Sequence, residues 1–357
     1  MKAFSRVLRA QQKPWTGSRV STRFYSPRPS GGPLSGPSRP LLDRNSGTLL
    51  GVTAGLLLGG FYVSHLETAP ESGRRRFMAV SKRQEELLRT QALQETRAQF
   101  RGRILPLEHP LTQQVRRITR RIIVASNLGH LEGEGAAEPP ELIEDPWGAP
   151  LGEGAADISR PPTLHPDREW AVLVVDDPSF VNAFAAAGLV CVSTGIMPIA
   201  RNEEGLAAII GHEIGHVAMR HPAELLSQSK ILLPVMVLLA FIGLDFGLSS
   251  VLTNVLHSLP HSRALETEAD TVGLKLMSRA CYDPAAAPRV FEDMSRLEKG
   301  SQVPSFFRTH PPTADRVAHL KTLLPESYNI YNANPECVQL EEMRARGLLR
   351  RVRMNVI

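Results

Sequence analysis

Acidic residues are almost absent from the first 46 residues of this 357-residue chain, which hold nine lysines and arginines and a single acid, Asp43. That segment carries a net charge of +8, and because the whole chain carries +5, the remaining residues carry −3. The basic character is therefore confined to one end of the chain. Charge balance gives no support for a nucleic-acid-binding protein.

The N-terminal lack of acids comes with many arginines and serines, a composition typical of a mitochondrial transit peptide. Arg23-Phe24-Tyr25-Ser26 resembles a matrix-processing site with cleavage after Tyr25. We therefore predict a transit peptide over residues 1–25, the alternative being a disordered basic tail. Residues 26–46 are rich in Pro, Gly and Ser and are predicted to form a disordered linker.

Charge is missing altogether from residues 47–64, a run of 18 residues. A run of that length is just long enough to span a bilayer when interfacial residues flank it, so we predict an N-terminal transmembrane helix. A helix buried in a soluble core is the alternative. Residues 65–126 are charged, with apolar residues near helical spacing, and are predicted to be a juxtamembrane helical segment. Within it, residues 74–76 are three arginines that would either touch anionic lipid headgroups or be solvated.

The middle of the chain contains one long region without periodicity, residues 127–166, which is rich in Gly, Pro and Glu and is predicted to be a loop or insertion. Strand patterns follow it. Residues 170–175 are predicted to form one strand, and residues 182–185 and 189–192 a hairpin that turns at Gly188.

A second apolar stretch covers residues 231–256, but four residues unsuited to a spanning helix interrupt it: Pro234, Gly243, Asp245 and Gly247. These interruptions favour a membrane-associated excursion, interfacial or re-entrant, over an intact transmembrane helix. A buried pair of core helices is the alternative.

Two histidines, His212 and His216, stand four residues apart with a glutamate, Glu213, between them. At this spacing two side chains share one helix face, about 5 to 6 Å apart at Cβ, so both imidazoles can reach one tetrahedral zinc. Glu213 points off that face and can act as general base beside a metal-bound water. Asn202, followed by two acids and an apolar run, predicts a helix around the motif. Two exposed histidines on an ordinary helix are the alternative.

A second segment, residues 262–270 in a further predicted helix, supplies carboxylates for a third ligand. A catalytic zinc needs three protein ligands and an open position, and two histidines with a glutamate are a known set. If Glu266 binds zinc, Asp270, four residues later, can accept the second N–H of a ligating histidine. Glu268 points elsewhere and is expected to be solvated.

The pattern HExxH followed by SRxxExxAD resembles the zinc metallopeptidase family that contains the CaaX prenyl protease and the bacterial heat-shock membrane protease HtpX. The resemblance implies one zinc ion per subunit, held by His212, His216 and Glu266, with Glu266 as the ligand in place of Glu268. It also implies an α+β, mainly helical fold with a zincin-type (gluzincin) core and a small β-sheet. We assign this core to residues 167–325 and a C-terminal tail to residues 326–357.

Two further segments carry the resemblance. In the family an Asn-Ala-Phe edge strand flanks the zinc, as at residues 182–184, but the usual Pro-Gly-Gly continuation is Ala186-Ala187-Gly188 here. Thr309-His310-Pro311 resembles a C-terminal family segment whose histidine faces the scissile carbonyl, although on spacing alone His310 would be an ordinary loop histidine. By this resemblance we assign His310 and Arg316 to oxyanion stabilisation, and Glu213 to the catalytic base.

Together with the predicted transit peptide and single anchor, the resemblance implies a zinc-dependent metalloendopeptidase of the mitochondrial inner membrane, which cleaves membrane proteins in quality control or stress-response processing. Expected partners are protein substrates in or near that membrane and the lipid bilayer; a homo-oligomer is left open, and no nucleic acid is expected. Two alternatives remain: a CaaX-type prenyl protease, which normally has several membrane spans, and a non-proteolytic chaperone or scaffold, which predicts a damaged zinc set.

Two arguments disagree about the side of the membrane on which the part of the chain after the anchor lies. Basic residues after the anchor favour placing the C-terminal side in the matrix, whereas the resemblance implies the intermembrane space, which we adopt. That compartment would permit a disulfide between Cys281 and Cys337, tying the C-terminal tail to the core helices. The third cysteine, Cys191, lies in an apolar strand and is predicted to be core.

Overall fold

The computed structural model describes residues 44–69, 72–134, 168–241, 263–297 and 305–346. The predicted transit peptide, nearly all of the predicted linker, most of the predicted loop at 127–166 and residues 242–256 lie outside the described residues. Contacts divide the chain into two units, residues 1–50 and residues 51–357. Of the first unit only the start of one helix is described, and all that follows that helix belongs to the second unit.

The first helix, α1, spans Arg44–Ser64 and covers the segment predicted to be transmembrane. Large apolar side chains on it are exposed, Leu56 at 73% and Val63 at 65%. A search of the described residues finds no helix with both the length and the apolar character that crossing a bilayer requires. A helix is therefore present where predicted, and its membrane-spanning character stays a prediction.

Two short antiparallel strands, β1 (Leu66–Thr68) and β2 (Arg75–Phe77), follow α1. The prediction that residues 65–126 are helical is therefore wrong at the start of the segment, and it is confirmed for the two helices that follow, α2 (Lys82–Gln99) and α3 (Pro110–Ala125). The apolar positions of α3 are completely buried: Val115, Ile118, Ile122 and Ile123. The α3 helix, which lies in the segment predicted to be juxtamembrane, is thus part of the core.

A four-stranded sheet has the order β3-β4-β6-β5. Its strands are β3 (His130–Leu131), β4 (Glu169–Val175), β5 (Ala183–Ala186) and β6 (Leu189–Ser193). Strand β4 runs parallel to its two neighbours, and β5 pairs antiparallel with β6 at the edge of the sheet. The predicted strand and hairpin are confirmed. Ala187 and Gly188 form the turn with φ of 48° and 101°, the left-handed conformations that a two-residue hairpin turn requires.

Helices make up most of the remaining described residues. They are α4 (Met197–Ala200), α5 (Glu203–Ala218), α6 (His221–Phe241), α7 (Arg263–Arg279), α8 (Ala286–Leu297), α9 (Ser305–Thr309), α10 (Ala314–Ala333) and α11 (Pro335–Ala345). The prediction of a mainly helical fold with a small sheet is confirmed. Of the apolar stretch 231–256, the part up to Phe241 continues α6 as helix, and its relation to a membrane stays a prediction.

The helices α5 and α7 lie in backbone contact, and glycines make this approach sterically feasible. A Cβ atom on Gly215 would lie 2.8 Å from the carbonyl oxygen of Ala269, and one on Gly273 would lie 2.8 Å from the backbone nitrogen of His212. Any larger residue would push the helices apart. The two segments that carry the predicted metal ligands are thus held side by side.

Cys281 and Cys337 form a disulfide, which confirms the predicted pairing. The bridge joins the chain just after α7 to the start of α11. Tyr331 and Leu340 pack around it. Cys191 is a free, buried cysteine in β6, as predicted, and burial raises the pKa of its thiol to about 12.

Candidate metal centre

The helix that carries the histidine motif is capped and buried. The side chain of Asn202 accepts a hydrogen bond from the backbone N–H of Gly205 at 2.9 Å, so the predicted N-cap is confirmed. Because His212 and His216 are one helical turn apart, their rings share a face of α5, and their Nε2 atoms lie only 3.1 Å apart. Both imidazoles therefore point at one place.

Glu266 reaches the same place from α7. Its carboxylate oxygens lie 3.5 Å from Nε2 of His212 and 3.5 Å from Nε2 of His216. His310, from the segment after α9, approaches from the other side, with Nδ1 3.1 Å from Glu266 Oε2 and 3.3 Å from His212 Nε2. One ligand atom from each of these four residues lies within 4.8 Å of the others.

The structure thus brings together all three predicted metal ligands and His310. Two imidazole nitrogens at 3.1 Å cannot both present lone pairs to each other without a proton or a cation between them. Imidazole nitrogen and carboxylate oxygen are donors that suit zinc among the transition metals. The donor set therefore fits a bound metal ion, and the roles of the individual residues stay predictions.

The electrostatics of the four groups are strongly coupled. Burial lowers the pKa of His212, but the carboxylates of Asp270 and Glu266 outweigh burial and raise that pKa to about 9. Burial, together with the neighbouring His212, lowers the pKa of His216 well below its ordinary value. Burial alone would raise the pKa of Glu266, but hydrogen bonds with His212 and His310 hold it far below the usual range. The cluster is therefore arranged to keep Glu266 anionic, as a metal ligand must be.

Glu213, the predicted base, sits between the cluster and the sheet. Its Oε2 accepts a hydrogen bond from the backbone N–H of Ala185 on the edge strand β5 at 3.2 Å. Its Oε1 is buried and has no hydrogen-bond partner among the described residues, although Nε2 of His310 lies 3.4 Å away. Burial raises the pKa of Glu213. A buried carboxylate oxygen with spare acceptor capacity beside a metal cluster is suited to accept a proton there.

Asp270 and Arg316 lie directly behind the ligands. Oδ1 of Asp270 is 2.9 Å from Nδ1 of His212, and the predicted role of Asp270 as an orienting carboxylate stays a prediction. Arg316 is buried and donates two hydrogen bonds of 2.7 Å to Asp270, and its Nη1 lies 2.9 Å from Glu266 Oε2. Its donors are thus directed at the carboxylates of Asp270 and Glu266. This geometry favours an orienting role for Arg316, while oxyanion stabilisation by His310 and Arg316 stays a prediction.

The prediction that Glu268 is solvated is wrong, because the side chain is only 4% exposed. It accepts hydrogen bonds from Arg74 and Ser72, and its Oε2 lies 3.0 Å from Nε2 of His221. Burial would raise the pKa of Glu268, but these neighbours, His221 first, lower it below the usual range. Neither alternative given for the arginine run holds at Arg74, which lies in ion pairs with Glu224 and Glu268. Sequence reasoning missed Arg74 and His221 as neighbours of the centre.

The chain is similar to known metallopeptidases. The sequence model of Peptidase family M48 matches residues 153–324. Mitochondrial metalloendopeptidase OMA1 of Schizosaccharomyces pombe is 34% identical over 278 residues, which are 76% of this chain and 71% of that protein. The protein of the same name in Saccharomyces cerevisiae is 32% identical over 301 residues, 82% of this chain and 78% of that protein. Metalloendopeptidase OMA1 of Homo sapiens is 28% identical over 298 residues, and this chain spans about half of its length, 49%.

Proposed function

Because the chain belongs to peptidase family M48 and is a metalloprotease, we propose that it is a zinc-dependent endopeptidase with a zincin-type (gluzincin) core. In this proposal His212, His216 and Glu266 hold one zinc ion. The observation that carries it is the convergence of these side chains from α5 and α7 on one point, with Glu213 beside it. When bound, zinc would polarise the scissile carbonyl and lower the pKa of a water molecule toward neutrality.

The residues around the proposed zinc site have different roles in peptide hydrolysis. Glu213 accepts a proton from the attacking water and passes it to the leaving amine, for which its burial and spare acceptor oxygen are suited. His310 lies beside Nε2 of His212, whereas Asp270 lies beside Nδ1 of that ring, and His310 stabilises the developing oxyanion. Asp270 and Arg316 hold His212 and Glu266 in place from behind.

The edge strand β5 is proposed as the place where the substrate lies. Within the described residues β5 pairs with a strand on one side only, and the N–H of Ala185 on its other side points at Glu213. An extended peptide added along that edge would run past the base and the metal ligands. Strand addition recognises the backbone of an extended segment and therefore requires little of its side chains.

We assign the enzyme to the mitochondrial inner membrane, with protein substrates in or near it. The names of the fungal relatives place those proteins in mitochondria, and the uncharged helical run at 47–64 supports a single anchor here. The disulfide between Cys281 and Cys337 supports an oxidising compartment, and hence the intermembrane space over the matrix.

The test is Glu213→Gln, which removes the proton acceptor and no ligand. We expect peptide hydrolysis to fall about 10²- to 10⁴-fold while bound zinc, measured by mass spectrometry of metals, stays at one per chain. Glu203→Gln is the matched control, because Glu203 lies on the same helix in an exposed ion pair with Arg117. It should leave both values unchanged. Substantial turnover by Glu213→Gln would refute the assignment of the base.

The ligand assignment has its own test in Glu266→Gln, which removes one of three anchors and should release zinc. If Glu268→Gln released zinc completely and Glu266→Gln did not, Glu268 would be the ligand and the proposal for Glu266 would be wrong.

A further inference from the structure

His221 connects a proposed metal ligand to a buried carboxylate that the proposed mechanism does not use. Nδ1 of His221 lies 2.9 Å from Nδ1 of His216, on the side of that ring turned away from the ligand cluster. Nε2 of His221 lies 3.0 Å from Oε2 of Glu268. All three side chains are buried, His221 at 1% exposure.

A sharp turn of the backbone between α5 and α6 brings His221 into contact with His216. The helix α5 ends at Ala218 and α6 begins at His221, so only two residues separate them. Arg220 takes a left-handed conformation with φ of 58°, which is unfavourable for a residue other than glycine. Its side chain is held by Glu85 at 2.7 Å and by the carbonyl oxygen of Val80 at 3.0 Å. The sharp turn folds His221 back over His216.

Hydrogen-bond polarity then determines which nitrogen of each ring carries a proton. Glu268, as a carboxylate, can only accept, so Nε2 of His221 must donate to it. In neutral His221 the other nitrogen, Nδ1, is then an acceptor, and Nδ1 of His216 must donate to it. His216 is left with its lone pair on Nε2, the nitrogen that faces the ligand cluster. The opposite polarity would direct a proton at the metal.

Glu268 is itself held by groups from outside the helices that carry the ligands. Arg74, just before β2, donates to Glu268 at 2.8 Å and to both oxygens of Glu224 at 2.7 and 2.8 Å. Ser72 also donates to Glu268. The other ligand histidine has a matching arrangement, because His212 contacts Asp270 and Asp270 is held by Arg316. In both cases a carboxylate on α7 is fixed by an arginine and linked to Nδ1 of a ligand histidine, directly for His212 and through His221 for His216.

We propose that His221 and Glu268 are positioning residues for His216: Glu268 fixes the tautomer of His221, His221 fixes that of His216, and Arg74 fixes Glu268 from the β1–β2 hairpin. This inference rests on the proposed function, in which His216 is a zinc ligand. The consequence is that zinc affinity depends on groups that never touch the metal, one of them in the segment directly after α1.

Two substitutions at His221 separate positioning from packing. His221→Asn loses much of the ring volume but can present an amide oxygen near the place of Nδ1, whereas His221→Phe keeps the ring and loses the acceptor. Removing a group that orients a metal ligand lowers metal affinity by about 10- to 100-fold. We expect a loss of that size for His221→Phe and a smaller loss for His221→Asn, measured on the full chain by competition with a zinc chelator. The reverse order would overturn the proposal, because packing alone favours Phe.

Glu268→Gln and the double variant Glu268→Gln/His221→Phe test whether the two residues act as one unit. Each single change should weaken zinc binding by about 10- to 100-fold, and the double variant should add little to the larger single loss. Glu204→Gln is the matched control, because Glu204 is a partly buried carboxylate paired with Arg344 and contacts no histidine among the described residues. It should leave zinc affinity unchanged. Additive losses, or an equal loss in the control, would overturn the proposal.

A readout on the unaltered protein covers the case in which the variants fail to fold. Ring ¹⁵N chemical shifts of the zinc-loaded full chain should show protonated Nδ1 on His216 and protonated Nε2 on His221, the His216 signal being assigned from its zinc-dependent change and the His221 signal from its through-space contact with His216. A proton on Nδ1 of His221 would overturn the proposal. If the unaltered chain bound no zinc, or Glu266→Gln bound it equally well, the proposed function would have failed instead.

Discussion

The contact between α5 and α7 can be tested by a single methyl group, in the substitution Gly273→Ala. The added Cβ would lie 2.8 Å from Cα and N of His212 and 2.9 Å from the carbonyl carbon of Gly211. All three atoms are backbone, so no side chain can rotate away. Ordinary contact begins at 3.4 Å, and the helices must therefore separate by about 0.6 Å.

Two opposing terms set the effect on stability. Alanine favours a helix over glycine by about 1 kcal/mol, and overpacking a tight contact costs about 1–3 kcal/mol. The net change is a loss of up to about 2 kcal/mol. The effect on the metal centre is expected to be larger, because Glu266 moves with α7 and the histidines stay on α5. Displacements near 1 Å at catalytic groups cost up to about 10²-fold in rate, so we expect kcat to fall roughly 10- to 100-fold.

The assay combines peptide hydrolysis, zinc affinity and thermal unfolding of the same preparation. Gly59→Ala is the control, because a Cβ there has nothing within 4 Å and should change neither zinc affinity nor kcat. Gly273→Ala with unchanged zinc affinity and kcat would refute the argument that backbone contact between the helices fixes the ligand geometry. A loss of activity that excess zinc fully restores would place the defect in metal binding alone.

Two further predictions concern the support of the site. Cys337→Ser should lower the free energy of unfolding by roughly 2–4 kcal/mol, because the disulfide bridges a sequence separation of 56 residues. Zinc affinity should stay unchanged, because the disulfide lies at the end of α7 opposite Glu266. A reductant should lower the melting temperature of the unaltered protein and not of the variant. Arg316→Lys keeps the charge but loses the paired hydrogen bonds to Asp270, so stability should fall by roughly 1–3 kcal/mol and zinc binding should weaken. A fall in kcat alone, with stability and zinc affinity intact, would instead favour the oxyanion role.

The sequence was sufficient for those parts of the site that local spacing determines. His212 and His216 share a face because four residues make about one helical turn, and Asn202 caps the helix through a bond to a residue three positions on. The hairpin of β5 and β6 follows from short-range alternation and from a glycine in the turn. The choice of Glu266 over Glu268 rested on resemblance, because both are acidic residues on one short helix and spacing alone does not separate them.

The rest of the site depends on contacts between residues far apart in the chain. Arg74 meets Glu268 across 194 positions, and the sequence shows only a run of three arginines, which is solvated in most proteins. The sequence thus shows no partner for Glu268, which points away from the face that carries Glu266 and is predicted to be solvated. His221 follows the motif helix closely, but its orientation depends on the left-handed conformation of Arg220, for which no glycine gives a signal.

The two residues between Glu213 and His216 give a physical reason to expect that metal binding and folding are coupled in this protein. Ile214 is completely buried, and Gly215 lies against the carbonyl oxygen of Ala269 on α7. One side of the motif helix therefore presents the two proposed histidine ligands, and the adjoining side packs against the helix that carries the proposed third ligand. Bringing the helices together completes the ligand set, and a metal ion bound only by the complete set stabilises the packed state by mass action. Removing the metal should thus weaken the α5–α7 contact even though none of its packing atoms has changed.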